Sequence, residues 1–255
     1  MNKVEFSYSK EYDAEMIFRF VNPEKGDWDW SEKVFEFHPH LKEKLKGIKN
    51  KQEKKEIVKN YINDWFNNKE NLNELNKRIK EIEKQWRKIE DKYFNRLFSL
   101  LDLKKPKKRD IKCYVSINPI CPRDLNRDLF SVFYKYSLNH IMVLIAHEIL
   151  HFYYFDKWRE VFPDSDKKTF EGPHIIWHLS EIMAPILLAQ PQMQELLNKL
   201  DTGYQEHGKI IINGKNIIEH FDELYNEFDR NKDFSEFLEQ AYKEIKKYKK
   251  ELYEL

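Results

Sequence analysis

The sequence predicts a mainly helical α+β protein, and three observations support this prediction. Long stretches interleave Lys with Glu, which is typical of solvated helix surface, and 35% of the 255 residues are charged. Only 6 residues are Gly, and hydrophobic residues make up 41%, which is enough for a real core. A few short segments alternate apolar with polar residues, as half-buried strands do. We therefore expect a small antiparallel or mixed sheet combined with many helices.

The composition argues against several classes of protein. The formal net charge is +1, so no global charge favours nucleic acid or an acidic membrane as a partner. The N-terminus lacks the apolar segment of a signal peptide, and the longest purely apolar run, at 141–146, is too short to span a bilayer. Cys113 and Cys121 lack the C-x-x-C spacing and are interpreted as reduced thiols. We expect a cytoplasmic protein, and the sequence indicates no oligomeric state.

The N-terminal region, residues 1–108, is predicted to be helical after one short strand. Alternating apolar residues predict the strand at 4–8, and a helix follows at about 11–21. Between Leu72 and Leu100, apolar residues recur every three or four positions, which predicts one long helix. We favour packing of this helix along its own domain over a coiled coil with a partner protein.

Two histidines of this region, His38 and His40, flank Pro39 and are candidate metal ligands by residue type alone. Proline disrupts the helical spacing that would bring their side chains together. Both histidines are therefore predicted to lie at the surface.

One segment carries the pattern of a catalytic metal site. Residues 144–153 read Leu-Ile-Ala-His-Glu-Ile-Leu-His-Phe-Tyr. On a helix, His147 and His151 share one face, with Cβ atoms roughly 5–6 Å apart, so their imidazoles can bind one Zn²⁺. Glu148 is placed to contact a water at the metal, and burying it in an apolar helix is costly without a partner. The H-E-x-x-H motif on a helix is known from zinc metalloproteases, in which Glu is the general base.

On these residues the chain resembles the zincin metallopeptidases. Among zincins it is most similar to the gluzincins, whose third zinc ligand is a Glu on a later helix. The metzincin extension of the motif is absent, because Tyr154 and Lys157 occupy the positions of its Gly and third His. The resemblance covers about residues 109–190.

The resemblance implies a domain organisation and a sheet. We expect a single compact catalytic unit with a zincin-like core at 109–195, consisting of a small sheet and two active-site helices. Added helices would flank it in the N-terminal region and in the C-terminal region, 196–255. Alternating segments at 112–118 and 129–134 predict two strands before the motif helix. Prolines in the link between these strands suit a sheet edge, and the family's edge strand binds an extended substrate backbone.

A second apolar helix is predicted to begin near Gly172-Pro173, since Pro is tolerated in a first turn. It carries His174, His178 and Glu181 at positions i, i+4 and i+7, so all three share one face. Three polar groups on an otherwise apolar helix need a common partner, and the metal site is the simplest one.

The resemblance favours Glu181 as the third metal ligand, because the family's ligand Glu projects from within the second helix. Glu171 lies 20 residues after His151, closer to the spacing in familiar gluzincins, but it precedes the helix. Glu171, His178 and His174 remain alternatives. His178 is predicted to be catalytic, either acting on the developing oxyanion or supporting a metal ligand.

The C-terminal region is predicted to contain a loop at 203–208 and two amphipathic helices, at 216–228 and 234–253. By sequence order, Tyr204 and His207 could supply hydrogen bonds to a transition state. A surface loop is the prediction for both residues.

The sequence as a whole predicts zinc-dependent hydrolysis of a peptide or protein substrate. His147, His151 and Glu181 would hold Zn²⁺, and Glu148 would take the proton of the attacking water and pass it to the leaving amine. The alternative is a non-catalytic zinc-binding or helical protein-interaction protein.

Overall fold

The computed structural model describes residues 2–24, 29–228 and 233–255. It confirms the α+β, mainly helical class, with a four-stranded mixed sheet and a two-stranded hairpin among these residues. The elements of the first half are β1 (Lys3–Ser7), α1 (Lys10–Val21), α2 (Ser31–Phe37), α3 (Pro39–Leu45), α4 (Lys51–Asn67), α5 (Lys69–Arg87) and α6 (Glu90–Leu100).

The second half of the chain contains the remaining strands and the two helices of the predicted site. Short 3₁₀ turns occur at 167–170, 207–209 and 246–248. The elements are β2 (Asp110–Ser116), β3 (Arg123–Asp124), β4 (Leu129–Phe133), α7 (Leu138–Val161), α8 (Ile175–Leu188), α9 (Pro191–Gln194), β5 (Ile211–Ile212), β6 (Lys215–Asn216), α10 (Ile217–Glu227), α11 (Phe234–Ile245) and α12 (Lys249–Tyr253).

The described chain divides into two compact units, each built from segments that are distant in sequence. The sheet unit combines residues 2–88 with 110–141, and the helical unit combines 89–109 with 142–255. The first turn of α7 belongs to the sheet unit, and the rest of this helix belongs to the helical unit. A single catalytic unit stays a prediction.

The four-stranded sheet has the strand order β1-β2-β4-β3. The first three strands are parallel, and β3 pairs antiparallel with β4 at one edge. All five residues of β4 are buried, as expected for a parallel strand that is covered on both faces. Strands β2 and β4 lie where the alternating segments predict them, and β3 begins at Arg123, directly after Pro122.

The predicted long helix between Leu72 and Leu100 is wrong in one respect, because it is broken at residues 88–89. Helix α5 ends at Arg87 and α6 begins at Glu90. The apolar stripe itself is buried in the fold, as the packing prediction requires: Leu75, Ile79, Ile82, Trp86, Tyr93 and Leu97 are all at most 9% exposed.

The prediction of a surface position holds for His40 and is wrong for His38. His38 is buried at the junction of α2 and α3, where Pro39 begins the new helix. Its Nε2 lies 2.8 Å from the Ile117 carbonyl oxygen, and its Nδ1 lies 3.0 Å from the Tyr61 hydroxyl. Since a carbonyl can only accept, Nε2 carries the proton, and Nδ1 accepts from Tyr61.

A second buried polar group of the sheet unit is the carboxyl of Asp13 on α1, which is 1% exposed. The Ser116 hydroxyl donates to Oδ1, and the Ile117 N–H donates to Oδ2 at 3.4 Å. Burial outweighs these two hydrogen bonds and raises the pKa of Asp13 to about 7. The carboxyl therefore joins helix α1 to the end of β2 largely as a neutral acid below that pH.

In the helical unit, α9, α10, α11 and α12 pack against α8, and α6 and α11 contact α7. The Tyr93 hydroxyl of α6 donates to the Ala146 carbonyl of α7. The buried Lys157 of α7 donates to Asp233 at 2.9 Å, and Asp233 caps α11 by accepting from the Ser235 N–H. These contacts join the motif helix to α6 and to the start of α11.

Two further features of this unit concern the sequence predictions. Helix α8 begins at Ile175 with His174 as its N-cap, so the expected start at Gly172-Pro173 is too early. The predicted last helix is interrupted by the 3₁₀ turn at 246–248. Among the described residues, none of the helices has both the length and the apolar character needed to cross a membrane.

We predict that replacing Asp13 by Asn removes a pH dependence of stability. The folded chain holds the Asp13 proton to about pH 7, whereas an ordinary Asp releases it near 3.8. Between these values the unfolded chain binds fewer protons, so the free energy of unfolding of the wild type falls as pH rises. The amide of the variant cannot titrate, so between pH 5 and pH 8 the variant should gain on the order of 2–3 kcal/mol relative to wild type.

Urea unfolding at pH 5, 6, 7 and 8 measures this difference. The control variant is Asp64→Asn, because Asp64 is exposed on α4. A wild-type and an Asp13→Asn protein whose stabilities change in parallel with pH would contradict the prediction.

Candidate metal centre

Helix α7 carries the three residues of the motif. At the start of the helix, the Ser137 hydroxyl accepts from the His140 N–H at 3.3 Å, as the side chain of an N-cap residue does. His147 and Glu148 are each 6% exposed, and His151 is fully buried. One turn of helix separates the two histidines, so both rings are on the same face, with centroids 4.6 Å apart.

Helix α8 brings Glu181 to these two histidines. His147 Nε2 lies 3.2 Å from one carboxylate oxygen of Glu181, and His151 Nε2 lies 3.4 Å from the other. The two Nε2 atoms are 2.9 Å apart. The ligand atoms of these three buried residues all lie within 4.8 Å of one another, so the group could hold a metal ion.

The alternatives for the third ligand are placed differently. Glu171 is exposed and follows the 3₁₀ turn at 167–170. His174 is half-buried, and its Nδ1 accepts from the Ile176 N–H at 3.3 Å, which caps α8. Of the residues proposed as ligands from sequence, the structure thus brings together His147, His151 and Glu181.

A residue that the sequence does not single out, Asp201, contacts the group from a loop. Its Oδ2 lies 2.6 Å from His147 Nδ1, and its Oδ1 accepts from the Gly203 N–H at 3.1 Å. A carboxylate on Nδ1 orients the ring and holds the proton there, which leaves Nε2 as the donor atom for a metal. No local pattern marks Asp201, because it precedes Thr-Gly in an irregular segment and contacts α7 only through the tertiary fold.

The electrostatics of the group favour a cation. Burial alone lowers the pKa of His147, but the Asp201 and Glu181 carboxylates overcome this effect and raise it well above its ordinary value. Burial raises the pKa of Asp201, and the contact with His147 outweighs this and lowers it. Two carboxylates are therefore buried beside two imidazoles, and a bound cation would offset the negative charge of the carboxylates.

His178 and His207 form a second buried contact beside this group. His178 Nδ1 lies 2.9 Å from His207 Nε2, and both side chains are at most 1% exposed. Burial is the main cause that lowers the pKa of each to about 4, so both rings are neutral near pH 7. The prediction that His174, His178 and Glu181 have one common partner is therefore wrong, since each side chain contacts a different group.

The loop at 203–208 also differs from the prediction of a surface loop. His207 is buried through its bond to His178, and Tyr204 is half-buried with its ring 5.5 Å from the ring of Trp177. The polar Gln205-Glu206 flank of His207 gives no sign of this burial. Tertiary contacts with His178 and Trp177 of α8 account for the inward position of these two residues.

No protein family model, curated protein or solved structure matches this chain. Function is therefore inferred from the residues of the site and from their geometry.

We predict that the protein takes up about one divalent metal ion per chain, because three buried donors converge on one point. His147→Ala and Glu181→Ala should each abolish this uptake, while Glu171→Ala, a change of the exposed alternative, should leave it unchanged. Elemental analysis of protein dialysed against the metal and then against metal-free buffer measures the content. Loss of metal in Glu171→Ala but not in Glu181→Ala would contradict the ligand assignment.

Proposed function

We propose that this protein is a zinc-dependent hydrolase that cleaves peptide bonds, a metallopeptidase similar to the gluzincins. The observation that carries the proposal is the convergence of Glu181 on the two histidines of the H-E-x-x-H motif. Helix α8 is buried over its whole length and is apolar except for His178, Ser180 and Glu181, so this carboxylate lies where no surface role would place it. The contact joins residues that are 30 or more positions apart in sequence.

The spacing of the donor atoms supports zinc as the metal. In a tetrahedral site with zinc–ligand bonds of about 2.0–2.1 Å, donor atoms stand roughly 3.3 Å apart. Here the two Nε2 atoms are 2.9 Å apart, and they lie 3.2 and 3.4 Å from the two different oxygens of the Glu181 carboxylate. Two imidazoles and one carboxylate also form the donor set of catalytic zinc sites that keep one coordination position open.

Glu148 is the proposed general base. When bound, Zn²⁺ would lower the pKa of a water and polarise the scissile carbonyl. Glu148 follows His147 directly on α7, and each of these residues is only 6% exposed. We propose that it takes the proton of the attacking water and passes it to the leaving amine. The products are then a carboxylic acid and an amine, with no other reactant required.

Asp201 and His178 have proposed supporting roles. Asp201 holds the Nδ1 proton of His147 and so directs Nε2 toward the metal. The sequence predicts two possible roles for His178, which are to act on the developing oxyanion or to support a metal ligand. Its Nδ1 is bonded to His207, which favours the supporting role.

We predict that Glu148→Gln lowers peptide hydrolysis by about 10²–10⁴-fold, because the amide cannot accept the proton of water. Zinc content should stay unchanged, since Glu148 is not a ligand. Initial rates with a mixed library of quenched fluorescent peptides, together with elemental analysis, measure both properties. The matched control is Glu160→Gln on the same helix, where the carboxylate is half exposed and lies 3.7 Å from the ammonium of the buried Lys157.

The non-catalytic alternative gives a different result. A structural zinc site would bind the metal in both variants, and neither the wild type nor Glu148→Gln would hydrolyse any peptide of the library. If the wild type and Glu148→Gln instead hydrolyse peptides at equal rates, Glu148 is excluded as the base.

A further inference from the structure

The segment at 197–207 contacts both helices of the metal site. We call it the strap. It begins at Leu197, which is 1% exposed, and ends at His207, which is also 1% exposed. Between these anchors it lacks helix and strand, and Leu200 is 57% exposed. The strap is therefore an irregular segment whose ends are buried and whose outer side faces solvent.

Asp201 joins the strap to α7. Its side chain is 11% exposed, although the neighbouring Leu200 and Thr202 are exposed. The 2.6 Å contact with His147 Nδ1 turns the carboxylate inward. The second carboxylate oxygen accepts from the Gly203 N–H, which fixes the carboxylate to the strap's own backbone.

His207 joins the strap to α8 through its 2.9 Å contact with His178. The ring of Tyr204 packs against Trp177 of the same helix, with centroids 5.5 Å apart. These contacts lie three and four residues before Glu181 on α8, so they hold the part of the helix that leads to the ligand.

Gly203 allows the strap to follow this path. Its φ of +60° lies in the left-handed region, which strongly favours Gly over residues with a Cβ. A Cβ at this position would also stand 3.1 Å from Pro185 Cγ on α8. The close approach to α8 and the backbone conformation thus both favour Gly at position 203, two residues after Asp201.

We propose that the strap is a positioning device for the metal centre, with Asp201 as the positioning residue for His147 and His207 as the anchor that holds Asp201 in place. This inference rests on the proposed metal site and extends it. Without the carboxylate, His147 can place its proton on either nitrogen and rotate its ring, so Nε2 is available to the metal for only part of the time. Without His207, the strap loses its contact with His178 on α8, and Asp201 contacts His147 for a smaller fraction of the time.

Zinc affinity tests this inference independently of catalysis. Competition with a chromogenic chelator gives the Kd for Zn²⁺ of the full-length protein. Asp201→Ala should raise this Kd by about 10–100-fold, as is typical for the loss of a carboxylate behind a ligand histidine. Asp201→Asn should restore part of the affinity, because its amide oxygen can still accept from Nδ1–H. Thr202→Ala, an exposed change in the same segment, is the control and should leave the Kd unchanged.

A double-mutant cycle tests the anchor. His207→Phe alone should raise the Kd for Zn²⁺ by about 10-fold or less, since the strap then holds Asp201 only part of the time. In the Asp201→Ala background the same change should have almost no further effect, because the carboxylate that the anchor delivers is already gone. Multiplicative effects of the two changes would overturn the anchor role of His207.

Thermal unfolding of the metal-free variants separates positioning from misfolding. If Asp201 has only a structural role, Asp201→Ala and Asp201→Asn should lose the same affinity for Zn²⁺ while unfolding at the same temperature. This result would overturn the proposal. If the wild type takes up zinc and Asp201→Ala has the same Kd as the wild type, only the positioning role of the strap is overturned, whatever the peptide assay shows. A wild type that takes up no zinc contradicts the proposed function and the strap together.

Discussion

The burial of ionisable side chains is the constraint on which the candidate site depends. Removing a carboxylate or a charged imidazole from water costs several kcal/mol unless the group is paired. Glu181 is 1% exposed and His151 is fully buried, and both stand on helices whose other residues are largely apolar. The contacts among Glu181, His147 and His151 offset part of this cost. A bound cation would offset more, because it neutralises the carboxylates without adding a further buried charge of the same sign.

The same constraint explains why polar residues around the group come in pairs. His147 contacts Asp201 and His178 contacts His207, so a residue of the irregular 197–207 segment contacts each helix of the candidate metal centre. The two pairs differ in charge. A carboxylate stabilises the proton on His147, whereas two imidazoles without a carboxylate between them stay neutral. The His147–Asp201 pair is thus ionic, whereas the His178–His207 pair is a neutral contact between the 197–207 segment and α8.

The sheet unit follows the same rule with another outcome. The Asp13 carboxyl accepts from a hydroxyl and a backbone N–H, which are neutral donors, so burial prevails and the acid retains its proton to about pH 7. His38 is buried between a carbonyl and a hydroxyl, which fixes a neutral tautomer. A buried acid or imidazole therefore ionises or stays neutral according to its partners, and no feature of the residue type alone decides between these states.

The resemblance to the gluzincins favoured Glu181 as the companion of His147 and His151, whereas periodicity and local chemistry were sufficient to predict the helical class, the strands around β2 and β4, and the motif helix. These features follow from patterns of apolar residues and from helical spacing, which act over a few positions. Other features arise only when the chain is folded. They include the break after Arg87, where neither Gly nor Pro marks an end, and the inward positions of His38 and His207. The contact of Asp201 with His147 belongs with them, because a hydrogen bond across 54 residues depends on where the chain returns in space and leaves no local pattern.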